Sequence, residues 1–209
     1  MSVRSRFSSL VFLILASAAA VAQGAPPAAS ADGVWQDAAE STIPARQARL
    51  IVPQRYRTLT LDRAALSQRL AGAQAERDVL VRQSPTQLLL PLPNGKYARF
   101  AVVESPVMEP ALAARHPELR TWLAQGLDDP SASARLDLTP QGFHAQILAA
   151  EGTVYIDPYQ PGDVDHYIAY DKRDHIHGER GVCEVTGEPV DGPETSSLRP
   201  LPDVSSGAN

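Results

Sequence analysis

Between Thr86 and Glu104 two apolar stretches flank Asn94-Gly95, the strongest short-range hairpin signal a sequence carries. A hairpin there commits the chain to antiparallel pairing, and the downstream sequence repeats the pattern. Ser133 to Leu138 faces Phe143 to Leu148 across Thr139-Pro140-Gln141-Gly142, with Pro and Gly at turn positions. Glu151-Gly152 turns the chain into Thr153 to Asp157. After a loop from Pro158 to Asp165, His166 to Tyr170 alternates again, and Arg120 to Leu127 is a further strand candidate. Pro91 and Pro93 push the first hairpin strand to an edge or a bulge. Upstream, Arg57 to Leu61 alternates with period two. Asp62 can cap a helix carrying Ala65, Leu66, Arg69 and Leu70, with Gly72 as its stop. Pro106 to Glu118 reads as a second short helix with Met108, Leu112 and Ala113 inward.

The expected fold class is α+β: a twisted, mainly antiparallel sheet of about six or seven short, hairpin-connected strands and two short helices. Flexible segments are expected at both ends. The expected organisation is a signal peptide over 1–22, a linker or transitional stretch over 23–52 and an α+β domain over 53–172. A His/Cys-bearing connector over 173–185 and a disordered linker or tail over 186–209 follow, the last rich in Pro, Gly and Ser.

The first segment reads as an export signal. Arg4 and Arg6 form a positive start, Leu10 to Leu15 the apolar heart, and Ala20-Val21-Ala22 a small-residue cleavage site between Ala22 and Gln23. The apolar run of about 13 residues is short against the ~20 a membrane helix needs, so no stable membrane anchor is expected. The expected destination is the periplasm or the medium. The net charge of −5 becomes more acidic once Arg4 and Arg6 are removed, which leaves no electrostatic footprint for nucleic acid. The hydrophobic fraction of 44% and charged fraction of 21% exclude a wholly disordered chain.

The chain has one cysteine, which excludes an internal disulfide and makes Cys183 conspicuous in an exported protein. His175-Ile176-His177 lies just before it. In an extended segment both rings share a face, so two His and one Cys are three candidate ligands of a tetrahedral zinc site. Only three candidate ligands are visible in a polar, Gly-bearing stretch, so an exposed His-bearing connector is the expected reading and the metal site its alternative. A thiolate on a polar segment behind a folded domain is also a good ligand for a zinc held elsewhere. His144, His116 and His166 read as lone histidines. If Phe143 and Ala145 face the core, His144 faces outward. Asp163 and Asp165 read as loop acids, with a weak calcium site as the minor alternative. The sequence holds no H-E-x-x-H, no Gly-x-Ser-x-Gly and no Gly-rich phosphate loop, so the chain is not expected to be an enzyme.

A family resemblance joins these features. Leu90 to Gly95, Glu104-Ser105-Pro106-Val107-Met108, Gly126 to Asp129, Thr139 to His144, Tyr155-Ile156-Asp157-Pro158 and His166-Tyr167 with Tyr170 occur in an order similar to one family. It resembles the propeptide region of secreted bacterial reprolysin-like (adamalysin-type) zinc metallopeptidases over roughly 53–185. The resemblance implies a prodomain that keeps a peptidase latent and aids its folding. It implies that Cys183 ligates the catalytic zinc as a cysteine switch, with Arg180 and Glu184 supporting it. Activation would be proteolytic, near Lys172-Arg173 or Arg180. No cofactor is expected in this chain alone, the zinc belonging to the partner. That partner is the catalytic domain with its H-E-x-x-H-x-x-G-x-x-H helix, which this sequence does not contain. It acts in cis if Asn209 interrupts a longer chain, and otherwise in trans. The alternative is a stand-alone exported binding module or inhibitor in trans, using a sheet edge or the His175/His177/Cys183 cluster.

Overall fold

Alternating apolar residues and tight turns produce one antiparallel sheet of nine strands in the computed structural model, which describes residues 28–175. The strands are β1 (Trp35–Asp37), β2 (Arg57–Leu61), β3 (Gln87–Pro91), β4 (Tyr97–Glu104), β5 (Arg120–Gly126), β6 (Ser133–Thr139), β7 (Gly142–Ala149), β8 (Gly152–Pro158) and β9 (His166–Asp171). Helix α1 (Arg63–Leu70) follows β2, and α2 (Pro110–Ala113) precedes β5. From β3 to β9 the sheet is a meander in which each strand pairs with the next. The order closes as β9-β2-β1, because β2 lies along β9 with Leu59 opposite Tyr167.

Turn chemistry fixes the registers. The Asn94-Gly95 hairpin closes over a three-residue loop: Leu92 N–H donates to Lys96 O at 2.9 Å, and Gly95 takes a left-handed φ of 85°. Thr139 pairs with Gly142 and Ala149 with Gly152, so both of these hairpins turn in two residues.

One face of every strand feeds a single core. Trp35, Leu59, Leu88, Leu90, Phe100, Trp122, Leu136, Phe143, Ile156 and Tyr167 are all buried in it. Burying each large apolar side chain stabilises the fold by about 1.5–3 kcal/mol before entropy is counted. Trp35 meets Phe143 and Tyr167 edge-on at 5.7 and 5.5 Å. Helix α1 starts at Asp62, whose Oδ1 accepts Ala65 N–H at 2.9 Å, and it inserts Leu66 and Leu70 into the same core.

The sheet curls until its edges approach. In a nine-strand antiparallel order the two edge strands, β1 and β3, run in the same direction. Residues 28–30 return along β1, with Asp37 N–H on Ala28 O and Ser30 N–H on Trp35 O, both at 2.8 Å. Asp32 Oδ2 then accepts Leu89 N–H of β3 at 2.9 Å. Arg57 completes the seam from β2. Its Nε donates to Asp37 Oδ1 at 2.6 Å, its Nη1 to Lys96 O at 2.9 Å, and its guanidinium lies 4.4 Å over the Tyr97 ring.

The fold class agrees with the sequence reading, α+β and mainly antiparallel sheet. Three details differ. The domain does not begin at residue 53: Val34 and Trp35 are buried and β1 is part of the sheet. Its three residues are too few to show a period, and they follow a Pro/Ala/Ser stretch. The strands number nine, not six or seven. The second helix shrinks to the single turn Pro110–Ala113, with none of Met108, Leu112 or Ala113 fully buried. Prolines at 106, 110 and 117 leave no room for a second turn.

Candidate functional site

The outer face of β6–β9 carries a connected set of titratable side chains. On β7 the neighbours Phe143 and Ala145 are buried in the core, so His144 faces outward. The two-residue loops on either side of β7 set what it meets. Asp137 of β6 is its cross-strand partner. Asp157 of β8 lies on its other side, with Oδ1 2.8 Å from His144 Nδ1. Asp157 Oδ2 also accepts the Tyr170 hydroxyl of β9 at 2.8 Å. A carboxylate that accepts both bonds assigns the imidazole proton to Nδ1. Nε2 is then the position that gains or loses a proton.

The environment shifts each group. The hydrogen bond to Asp157 holds the His144 ring protonated above its ordinary range, against the opposing effect of burial. Burial raises the Asp137 carboxyl, and the nearby His144 offsets only part of that. Burial, reinforced by Asp157, pushes the Tyr170 hydroxyl far up, so it remains a donor at physiological pH.

Beside His144 opens a pocket of about 230 Å³ walled by Leu50, Ile51, Pro158 and Pro161. Leu50 is 80% exposed. Two clamps hold this wall. Buried Gln160 accepts Arg46 N–H at 2.9 Å on Oε1 and donates from Nε2 to Pro44 O at 2.8 Å. The Arg49 guanidinium lies between the Tyr56 and Tyr159 rings, 4.5 and 4.3 Å from their centroids. Both tyrosine hydroxyls donate to Glu40 Oε1, at 2.6 and 2.7 Å. Those bonds hold the Glu40 carboxyl below its usual range.

This arrangement holds and exchanges a proton next to an apolar recess. Among the described residues no hydroxyl or thiol lines the recess. Among the described residues no group of three or more His, Cys, Asp or Glu is placed to hold a metal ion.

The expected site residues fall mostly outside this face. His175 caps the 3₁₀ turn Lys172–Asp174 and packs edge-on against Tyr170 at 5.9 Å. Cys183, Arg180, Glu184 and His177, and Ala22 and Gln23 at the expected cleavage site, lie outside the described residues. The described residues all fall within one compact unit that ends at Ile176. Asp163 is not an open loop acid: its carboxylate accepts His166 N–H and Asp165 N–H and contacts the His166 ring at 3.0 Å. That clamp replaces the calcium reading. His116 meets Glu118 at 3.3 Å on the surface. The sheet edges are also engaged, β1 by residues 28–30 and β3 through Leu89 N–H on Asp32. Among the described residues no helix is long and apolar enough to cross a membrane.

Asp137, Asp157 and Tyr170 are not among the site residues expected from the sequence. Two-residue turns at 140–141 and 150–151 would have aligned residues 137, 144 and 157, so the register held that information. The chain matches no family model, no curated protein and no solved structure.

Proposed function

We propose that this chain is the secreted prodomain of a reprolysin-like zinc metallopeptidase and holds that peptidase latent through the Cys183 thiolate. One observation carries most weight: the sheet domain ends at a fixed exit just before the cysteine segment. Asp174 is buried, and its Oδ1 accepts Arg55 Nη2–H at 2.9 Å while its carbonyl accepts Gln54 N–H at 2.8 Å. Cys183 lies eight residues beyond His175 in the sequence. A chain of that length spans at most about 28 Å, enough to reach a cleft in a domain seated against this one.

One further point supports the reading. Lys172 and Arg173 are exposed beside the exit, where a protease has access. A zinc-bound thiolate takes the coordination position a catalytic water needs, so the peptidase stays inactive until the segment leaves. The alternative of a module binding by strand addition has less to work with, since both sheet edges already carry bonds.

The test adds the chain, as wild type and as Cys183→Ser, to a catalytic domain bearing H-E-x-x-H-x-x-G-x-x-H from the same source. Wild type is expected to inhibit peptide hydrolysis, and Cys183→Ser to lose most of that inhibition at equal binding. Full inhibition by Cys183→Ser overturns the thiolate mechanism. Absence of binding by either chain overturns the prodomain reading.

A further inference from the structure

We infer that the end of the curled sheet opposite α1 is a binding site for a small, uncharged apolar molecule. The two ends of the sheet differ. At one end α1 closes the core with Leu66 and Leu70, both 1% exposed. At the other, where β3 turns into β4, β5 into β6 and β7 into β8, a pocket of about 380 Å³ opens onto the core. Its floor is Phe100 and Ile147, which are otherwise buried.

Small residues make the space. Ala98, Ala132 and Ala149 line the pocket where larger side chains would fill it, and Gly126 lies beside them. Gly126 cannot be enlarged, since a Cβ there would overlap the Asp129 carbonyl oxygen and crowd Ala132. The volume lies within the range of small-molecule sites, and the open mouth of a curled sheet is a place where such sites occur.

The rim points to an uncharged ligand. Arg99 donates from Nε and Nη2 to Asp128 Oδ1 at 2.9 and 2.7 Å, and from its backbone N–H to Asp128 Oδ2 at 2.8 Å. Asp129 Oδ1 takes the Ser131 N–H and hydroxyl. The two remaining rim charges, Lys96 and Glu151, are of opposite sign. The rim sums to one negative charge, that of Asp129, whose carboxylate is already taken by Ser131, so no unengaged excess charge is left to select an ion, and the apolar floor supplies the binding energy.

The experiment titrates the full chain with N-phenylnaphthylamine, a neutral dye that brightens in apolar sites. The expected result is saturable one-to-one binding, displaced by decanol. Ala149→Trp, which fills the mouth, is expected to weaken binding at least tenfold, and the milder Ala98→Val severalfold. Leu50→Ser, at the separate pocket beside His144, is expected to leave binding unchanged. The inference fails if the folded chain shows no saturable binding. It also fails if a folded filling variant binds as wild type does, or if Leu50→Ser abolishes binding. None of these outcomes depends on Cys183 or on a peptidase.

Discussion

Replacing Tyr167 by Phe removes one oxygen from the tightest corner of the sheet. Continuing the β7–β8 register sets Pro158 opposite Phe143, and there the ladder opens. The Phe143 N–H instead donates to the Tyr167 hydroxyl at 3.0 Å, and that hydroxyl donates to Val164 O at 3.1 Å. Phenylalanine keeps the ring and its contact with Trp35, so little packing is lost. The Phe143 N–H is left buried without an acceptor, which costs about 1–3 kcal/mol. Val164 is only partly buried, so water can replace the donor to its carbonyl. The expected loss is therefore about 2 kcal/mol. For a chain of this size that lowers Tm by about 4–8 °C. Guanidinium unfolding should show a lower midpoint at unchanged slope. A second signature appears in alkali. Burial pushes Tyr167 up to about 12 from its ordinary 10. A raised folded pKa gives stability that is complete below 10 and lost as pH climbs through about 12. Tyr167→Phe should remove that part of the alkaline loss. A change below about 0.5 kcal/mol would mean that water reaches the Phe143 amide and the corner is not closed.

Two further outcomes follow from the same geometry. The His144 ring should titrate above its ordinary 6.5 by NMR and fall back toward it in Asp157→Asn. Since the folded value is raised, the stability from this contact is complete below 6.5 and declines as pH rises through the folded value; a ring titrating below 6.5 would refute the Asp157 bond. Asp62→Ala should destabilise by about 1 kcal/mol, because Ala65 N–H loses its cap at the start of α1. An unchanged midpoint in urea would show that the helix start is held by packing alone.

The parts of the fold that were legible are those encoded locally. Arg57 to Leu61 carries its period within five residues and forms β2 over that span. Asp62 announces α1 because a capping carboxylate acts three residues away. Thr139 to Gly142 fixes its hairpin through the turn itself. Trp35 was not legible as a strand residue. Its strand is three residues long and is held by β2 on one side and by residues 28–30 on the other. Pro106 to Glu118 misled because apolar spacing alone suggests a helix, whereas the prolines and the lack of a partner surface decide against it. The pairing of β2 with β9 joins residues more than a hundred apart, which no local pattern reports.

The same distinction runs through the candidate sites. His144, Asp137 and Asp157 can be aligned by counting across two tight turns, because side-chain facing in a sheet depends only on register. The apolar wall over His144 cannot, since Leu50 and Ile51 are held in place by Gln160, reached from Arg46 across a separation of 114 residues. The pocket at the open end is harder still to read, because it comes from what its residues lack. Ala98, Ala132 and Ala149 are ordinary small positions in the sequence. They leave a cavity because the curled sheet brings β4, β5 and β7 around one opening at the end of the core that α1 does not cover. Small residues at one end of a closed core therefore carry meaning only once the topology is known, and filling the space at Ala98 or Ala149 tests that meaning without disturbing the register that creates it.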